Sequence, residues 1–317
     1  MSQFKLTFYG TRGTRTVSGP EYSEFGGHTT CVVVEAGDRK LVFDSGSGIV
    51  GFGKELVGAH FASGAPGPLV SYLFHTHCHY DHICGFPYYA PLYVPDTTTW
   101  VFGPRNPLCS FEEALRTFVH TPYHPVPLYE MEGELRFGEI REPEAVFFVK
   151  GQVDPVVVNI KHSELRKAAP APEDTDVVVR CLRGYNHPKS GVMFYRVEHA
   201  GRSVVVATDT EGYVFGDRRL ARFASGASVL IHDAMYTKGT YTSDILPTQG
   251  WGHSTVRCAL QVAELASVGR TYLVHHDPNH GDATLRDMER DARKVHPNAE
   301  IARDGTVVDL IDSFPPA

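Results

Sequence analysis

His75-Thr76-His77-Cys78-His79-Tyr80-Asp81-His82 gathers four of the chain's 17 histidines and a carboxylate into one short run. Leu69 to Phe74, just before it, reads as a buried strand, so the cluster begins where a strand gives way to a loop. Imidazole at this density calls for a metal. His77 and His79 are two apart, and side chains on extended chain alternate with period two, so both can point the same way. Asp81 and His82 follow after the chain has turned and can face a second ion, about 3.5–4 Å from the first, the usual separation in two-metal hydrolases. Imidazole with carboxylate suits zinc first, with manganese or iron as alternatives, and the nearby cysteines lie off the pattern. His75 reads as a strand-end residue rather than a ligand.

Around this run the chain alternates. Phe4 to Tyr9, Cys31 to Glu35 and Lys40 to Phe43 look like strands separated by Gly-rich turns, and Ile49 to His60 like a helix. Pro87 to Pro127 is rich in proline and aromatics, with only Phe111 to His120 helical, and reads as a lid or inserted segment. Lys150 to Asp176 carries no readable pattern. Beyond it, Asp176 to Leu182, Val192 to Glu198, Ser203 to Ala207 and Val229 to His232 look like strands, with helices near Ser254 to Val268 and Asp282 to Val295. Strands and helices in both halves predict an α/β (α+β) chain of two sheets covered by helices, and its length allows one large domain or about two.

Composition narrows the function classes. The chain has 317 residues, 42% hydrophobic with 30 glycines besides, an ordinary globular balance that excludes disordered and collagen-like chains. Thirty basic residues against 37 acidic give a net charge of −7, and no run of Lys or Arg could track an extended duplex. A small phosphorylated substrate held by metal ions fits that balance. The six cysteines form no close pairs, the start lacks a basic segment followed by an apolar one, and no apolar run approaches the roughly 18 residues of a membrane span. The expectation is a reducing, cytoplasmic setting with no membrane partner, and a homodimer is left open.

Thr76-His77-Cys78-His79-Tyr80-Asp81-His82 resembles the HxHxDH signature of the metallo-β-lactamase superfamily. Other stretches resemble its remaining motifs in order: Phe43-Asp44-Ser45-Gly46-Ser47-Gly48, Asn186-His187-Pro188, Ala207-Thr208-Asp209-Thr210-Glu211 and Leu273-Val274-His275-His276-Asp277-Pro278. Within that superfamily Gly10-Thr11-Arg12-Gly13, Gly26-Gly27-His28-Thr29-Thr30-Cys31, Ile83-Cys84-Gly85-Phe86-Pro87 and Trp251-Gly252-His253-Ser254-Thr255 look closest to the phosphodiesterase branch, which includes tRNase Z and cyclic-nucleotide phosphodiesterases. The resemblance implies a four-layer αββα sandwich, a single domain over residues 1–317, holding two divalent metal ions. His77, His79 and His187 would bind one ion and Asp81, His82 and His275 the other, with Asp209 bridging, room for a bridging hydroxide, and Asp44 supporting the ligand loop from behind. His276 competes with His275 for the last position. His28 and His124 stand where relatives usually carry other residues, and no long Gly-rich arm of the tRNase Z kind is present.

The function so implied is cleavage of a small phosphodiester, a cyclic nucleotide being one candidate, with Asp81 and His253 as catalytic groups and His253 donating a proton to the leaving oxygen. Asp233 and Tyr236 resemble a family segment near the site, with structural packing an equal reading. A lactone or thioester hydrolase is the nearest alternative, since the same pair of ions can activate water against a carbonyl carbon. A non-catalytic metal-binding sensor is the alternative from another class. A redox diiron protein fits less well, because relatives of that kind generally carry Glu where this chain has His79.

Overall fold

The computed structural model describes residues 3–64 and 67–316. Among them, seven strands form one sheet, in the order Val307–Asp309, Phe4–Gly10, Cys31–Ala36, Arg39–Phe43, Leu69–Phe74, Thr97–Gly103 and Glu134–Glu139. Eight form a second, in the order Ala299–Ile301, Arg270–Val274, Val229–Asp233, Arg202–Ala207, Val192–His199, Thr175–Gly184, Glu144–Val149 and Val156–Asn159. The Leu69–Phe74 strand explains why two sheets and two helical layers are needed. Tyr72 and Phe74 bury one face of it and Leu69 and Leu73 the other, so neither face can be left to water.

Tyr72 and Phe74 point into the core between the sheets, where Phe8, Val34 and Phe43 from the first sheet meet Phe148, Val179, Tyr195, Val206 and Ile231 from the second. Leu69 and Leu73 point outward against Ile49, Phe52 and Leu56 of the Ile49–Ser63 helix and Phe111 and Leu115 of the Phe111–Phe118 helix. On the far side, Leu230 and Val205 are covered by Leu220, Val262 and Ala263, and Leu273 and Ile301 by Leu260, Leu285 and Met288. The result is the α-β-β-α layering that the sequence predicts.

Most strands and helices of the sequence reading are present within a residue or three of their predicted ends, and Leu69–Phe74 and Asp282–Val295 match at both ends. The reading of residues 87–127 as a lid or insertion is corrected in part. Thr97–Gly103 lies within that stretch and pairs in parallel with Leu69–Phe74 on one side and Glu134–Glu139 on the other, so it is woven into the first sheet. Its residues, Thr97 to Phe102, favour a strand, but the prolines on either side of it mask the signal. Residues 150–176 hold the strand Val156–Asn159 and a short helix, Ser163–Arg166, at the edge of the second sheet.

Two parallel groups of strands aim their carboxyl ends at one cleft. Arg39–Phe43 runs parallel to Leu69–Phe74, and Arg202–Ala207, Val229–Asp233 and Arg270–Val274 run parallel to one another. In open α/β sheets the crevice outside such ends is where ligands bind. The core beneath it is aromatic: Phe74 stacks on Phe102 and Phe43, with ring centroids at 4.9 and 5.6 Å, and meets Tyr195 edge-on at 5.5 Å. Phe74→Ala should cost about 3–5 kcal/mol of unfolding free energy, the usual loss for a buried Phe, and urea unfolding measures it.

Candidate metal centre

Asp44 leaves the end of the Arg39–Phe43 strand in a left-handed conformation, φ 60°, which turns its fully buried carboxylate toward the loop after Phe74. There it accepts the Thr76 amide at 2.8 Å, the Thr76 hydroxyl at 2.9 Å and His82 Nδ1 at 2.8 Å. Since the Thr76 hydroxyl donates to Asp44, its oxygen accepts from His77 Nδ1 at 2.9 Å. One carboxylate therefore fixes both His77 and His82 with Nε2 turned into the cleft. The second sheet grips the same loop: Met193 N donates to Thr76 O at 2.9 Å and the Tyr195 hydroxyl to His75 O at 2.6 Å.

Asp209 and His275 also leave their strands left-handed, at φ 54° and 62°. Aspartate and histidine are among the side chains that tolerate this region best, and the turn aims each side chain back over its strand end. The His187 ring is oriented from behind by Gly252 O, which accepts from its Nδ1 at 3.0 Å, and its Nε2 comes within 3.1 Å of His79 Nδ1. Gly13 passes so close to the His275 ring that a β-carbon there would lie 2.3 Å from it, and the next amide, Thr14 N, donates to Asp81 Oδ2 at 2.7 Å. Neither of these two contacts is legible in sequence.

Every predicted ligand reaches the cleft. Donor atoms of His77, His79 and His187 lie within 4.8 Å of one another, as do those of Asp81, His82 and His275, and those of His77, His82 and Asp209. Asp209 stands between the groups: its Oδ1 is 3.9 Å from both His77 and His187 Nε2 and 3.1 Å from His275 Nε2, and its Oδ2 is 3.2 Å from His82 Nε2. His276 does not compete, because its Nε2 is committed to Ala302 O at 2.8 Å. His75 bonds Ser45 Oγ at 2.7 Å and packs on Phe111, as a strand-end residue would. His28 bonds Ser47 and His124 caps its own turn at Val126 O, so neither joins the donor clusters.

The donor chemistry fits divalent cations. Buried Nε2 atoms of His77 and His82 find no hydrogen-bond partner, although each ring is fixed through Nδ1. Burial pushes His187 down to about 4 and His77 well below the usual range, which keeps both imidazoles neutral with lone pairs available. Burial also opposes charge on Asp81 and Asp209, but His82 and His275 outweigh it and hold both carboxyls well below the usual carboxylate range. The converse follows for His275: burial pulls it down, Asp209 and Asp81 more than offset this, and it rises to about 10. The two carboxylates thus demand positive charge at this point, and metal cations supply more of it than protons do.

His253 belongs to a further group of mutually close donor atoms, with Asp209, Asp233 and His275, but its Nδ1 is engaged by Asp233 and stays 4.0 Å from Asp209. Its Nδ1 donates to Asp233 Oδ2 at 2.6 Å, and its ring stacks on His275 at 4.6 Å. The buried Asp233 carboxylate also accepts Ser254 N at 2.8 Å and Met235 N at 3.2 Å, so it locks both the ring and the backbone that carries it. The sequence left Asp233 undecided between site and packing; the geometry joins it to His253. Tyr236 lies 5.9 Å from the His253 ring, edge-on, and acts as its wall.

These features agree with what the chain resembles. A model of the beta-lactamase superfamily domain matches residues 39–276. Ribonuclease Z of Thermoplasma acidophilum is 26% identical over 312 residues, 92% of either chain. Among solved structures, a diphosphatase from the PhnP family superposes with a TM-score of 0.60 at 14% identity, covering 97% of this chain and 98% of that one. Human tRNase Z, short form, does so with a TM-score of 0.55 at 18% identity, covering 96% and 99%. At these identities the two structures speak for the fold, and the domain match speaks for the family: the chain belongs to the beta-lactamase superfamily and is a metal-dependent hydrolase of that fold.

Proposed function

We propose that this chain is a phosphodiesterase that binds two divalent cations, zinc before manganese or iron, and cleaves a small phosphodiester. One observation carries the reading: Asp209 stands between two clusters of donor atoms, and His253, its Nδ1 engaged by Asp233, faces the same cleft. His77, His79 and His187 would hold one cation and Asp81, His82 and His275 the other. The pair would make a water acidic enough to attack near neutral pH and would neutralise the non-bridging phosphate oxygens. With Nδ1 bound to Asp233, His253 can carry a proton on Nε2 and deliver it to the departing oxygen. Asp81 binds and orients at once, since Thr14 N on one side and His275 on the other fix its Oδ2.

The cleft wall supports a small substrate. Residues from the 87–127 stretch come over the ligand loop: Asn106 Nδ2 lies 3.9 Å from Cys78 Sγ, and Pro107 lines a cavity of about 680 Å³ together with His187, Tyr185 and Lys189. That volume suits a nucleotide-sized diester, and a net charge of −7 gives no broad basic face for folded RNA. A second reading has its own support, because a relative over 92% of the chain is a Ribonuclease Z, which would make an RNA the substrate. Among the described residues no helix is long and apolar enough to cross a membrane, and the six cysteines are free, in keeping with a reducing cytoplasmic setting.

Three measurements test this. Asp209→Ala removes the carboxylate common to both clusters, so metal content should fall from near two ions per chain and turnover with it; full occupancy in the variant would refute the bridging role. A panel of cyclic nucleotides, 2′,3′-cyclic phosphates, bis(p-nitrophenyl) phosphate and precursor tRNA should give turnover on the small diesters, lost on chelation. Cleavage of the tRNA with none of the small diesters would reverse the size argument. His253→Ala should keep its metal and lose about 10²–10⁴-fold on a diester with an alkoxide leaving group, and much less on a nitrophenyl diester, whose leaving group departs unprotonated. Equal losses on the two would make His253 a positioning group instead.

A further inference from the structure

Glu211 lies two residues beyond Asp209 and outside both donor clusters, yet both of its carboxylate oxygens are engaged. Oε1 accepts the Tyr241 hydroxyl at 2.5 Å and Gly250 N at 2.8 Å, and Oε2 accepts Gly252 N at 3.0 Å. These partners lie 30–41 residues away along the chain, at the two ends of the segment that leads into His253. Glu211 therefore ties that segment to the loop carrying Asp209. The Asn186 side-chain amide, next to His187, donates to the Glu211 carbonyl and draws a third loop into the same knot.

The segment needs such a tie. Residues 244–247 are exposed, Ile245 at 96%, so no core holds them. The turn at its end is built on two glycines in the left-handed region, Gly250 at φ 83° and Gly252 at φ 90°. Glycine loses most conformational freedom on ordering, so a turn of this kind wanders unless its amides are bound. A β-carbon on Gly252 would lie 2.3 Å from Pro188 Cδ, so the turn is also pressed against the His187 loop and has one seat available.

His253 follows directly. Asp233 holds it from the carboxyl-terminal side, through Ser254 N and the ring itself. We infer that Glu211 is the matching clamp on the amino-terminal side, a positioning residue that sets where His253 meets the leaving group by fixing the Gly250 and Gly252 amides. The inference rests on the proposed role of His253, and it is specific about the route: Glu211 acts through the turn and not through the metal ligands.

A double-mutant cycle on the metal-loaded enzyme tests it, with adenosine 2′,3′-cyclic phosphate and bis(p-nitrophenyl) phosphate as probes. Glu211→Ala should lower kcat on the cyclic phosphate by about 10–100-fold, the scale of an ångström-sized misplacement, with KM, metal content and thermal midpoint close to wild type. Glu211→Gln, which keeps one acceptor oxygen, should recover part of the loss. In a His253→Ala background the Glu211→Ala change should matter by no more than about twofold, because the group it positions is gone. The same factor in both backgrounds would overturn the inference. So would a fall in metal content in step with activity, which would assign Glu211 to His187 through Gly252. His253→Ala alone, compared on the two probes, judges the proton-donor role separately: equal losses would sink that role while the cycle still reports whether Glu211 acts through His253.

Discussion

Four carboxylates, those of Asp44, Asp81, Asp209 and Asp233, are buried where the strand ends of the two sheets meet. An ion taken out of water costs several kcal/mol unless charge and hydrogen bonds replace its hydration, and the local architecture meets that demand. Asp44 takes Thr76 and His82. Asp233 takes His253 and two amides. Asp209 and Asp81 lie among imidazoles, with Thr208 Oγ1 and Thr14 N as their nearest hydrogen-bond donors. Asp44 and Asp233 are answered by hydrogen bonds from rings and amides and stay structural. Asp81 and Asp209 are answered mainly by imidazoles and keep their demand for cations.

That difference explains how much of the site could be read in advance. The proposed ligands that share a strand end, His77, His79, Asp81 and His82, are close in sequence, and period-two alternation already puts two of them on one side. His187, Asp209 and His275 are legible only through resemblance, since nothing in their own neighbourhoods says that three separate strand ends converge. Their backbone gives no cue either: Asp209 and His275 sit at positive φ, a property of the turn and not of the residue type. Glu211 was in plain view inside the Asp209 motif, but its meaning lies in amides far along the chain, and backbone amides leave no trace in sequence.

The fold divides in the same way. Strands that bury both faces under apolar side chains, such as Leu69–Phe74, announce themselves. Thr97–Gly103 is also built of strand-favouring residues, Thr, Trp, Val and Phe, but it lies inside a stretch so rich in proline that the whole stretch reads as irregular. The hydroxyls of Thr98 and Thr99 are accommodated locally, Thr99 against Ser71 and Thr98 against Glu134. Missing it turned a stretch of the first sheet into an apparent insertion. Parts of that stretch do meet the 75–82 loop, Asn106 beside Cys78 and Phe118 beside Tyr80.

His253 and His275 stack as near-parallel rings, 13° apart, on one wall of the cleft, and chemistry separates them only through the carboxylates each one meets. His275 has its Nε2 between Asp81 and Asp209, and its Nδ1 stays 3.9 Å from Asp233, too far for a hydrogen bond. His253 has its Nδ1 against Asp233 at 2.6 Å and only a distant 4.0 Å approach to Asp209. A ring bound through Nδ1 to a structural carboxylate keeps Nε2 for an exchangeable proton, whereas a ring aimed at the shared carboxylates is spent on the cations they attract. On the proposed reading, Asp233 would thus decide which of two stacked histidines handles protons, and it would do so through the Nδ1 it binds.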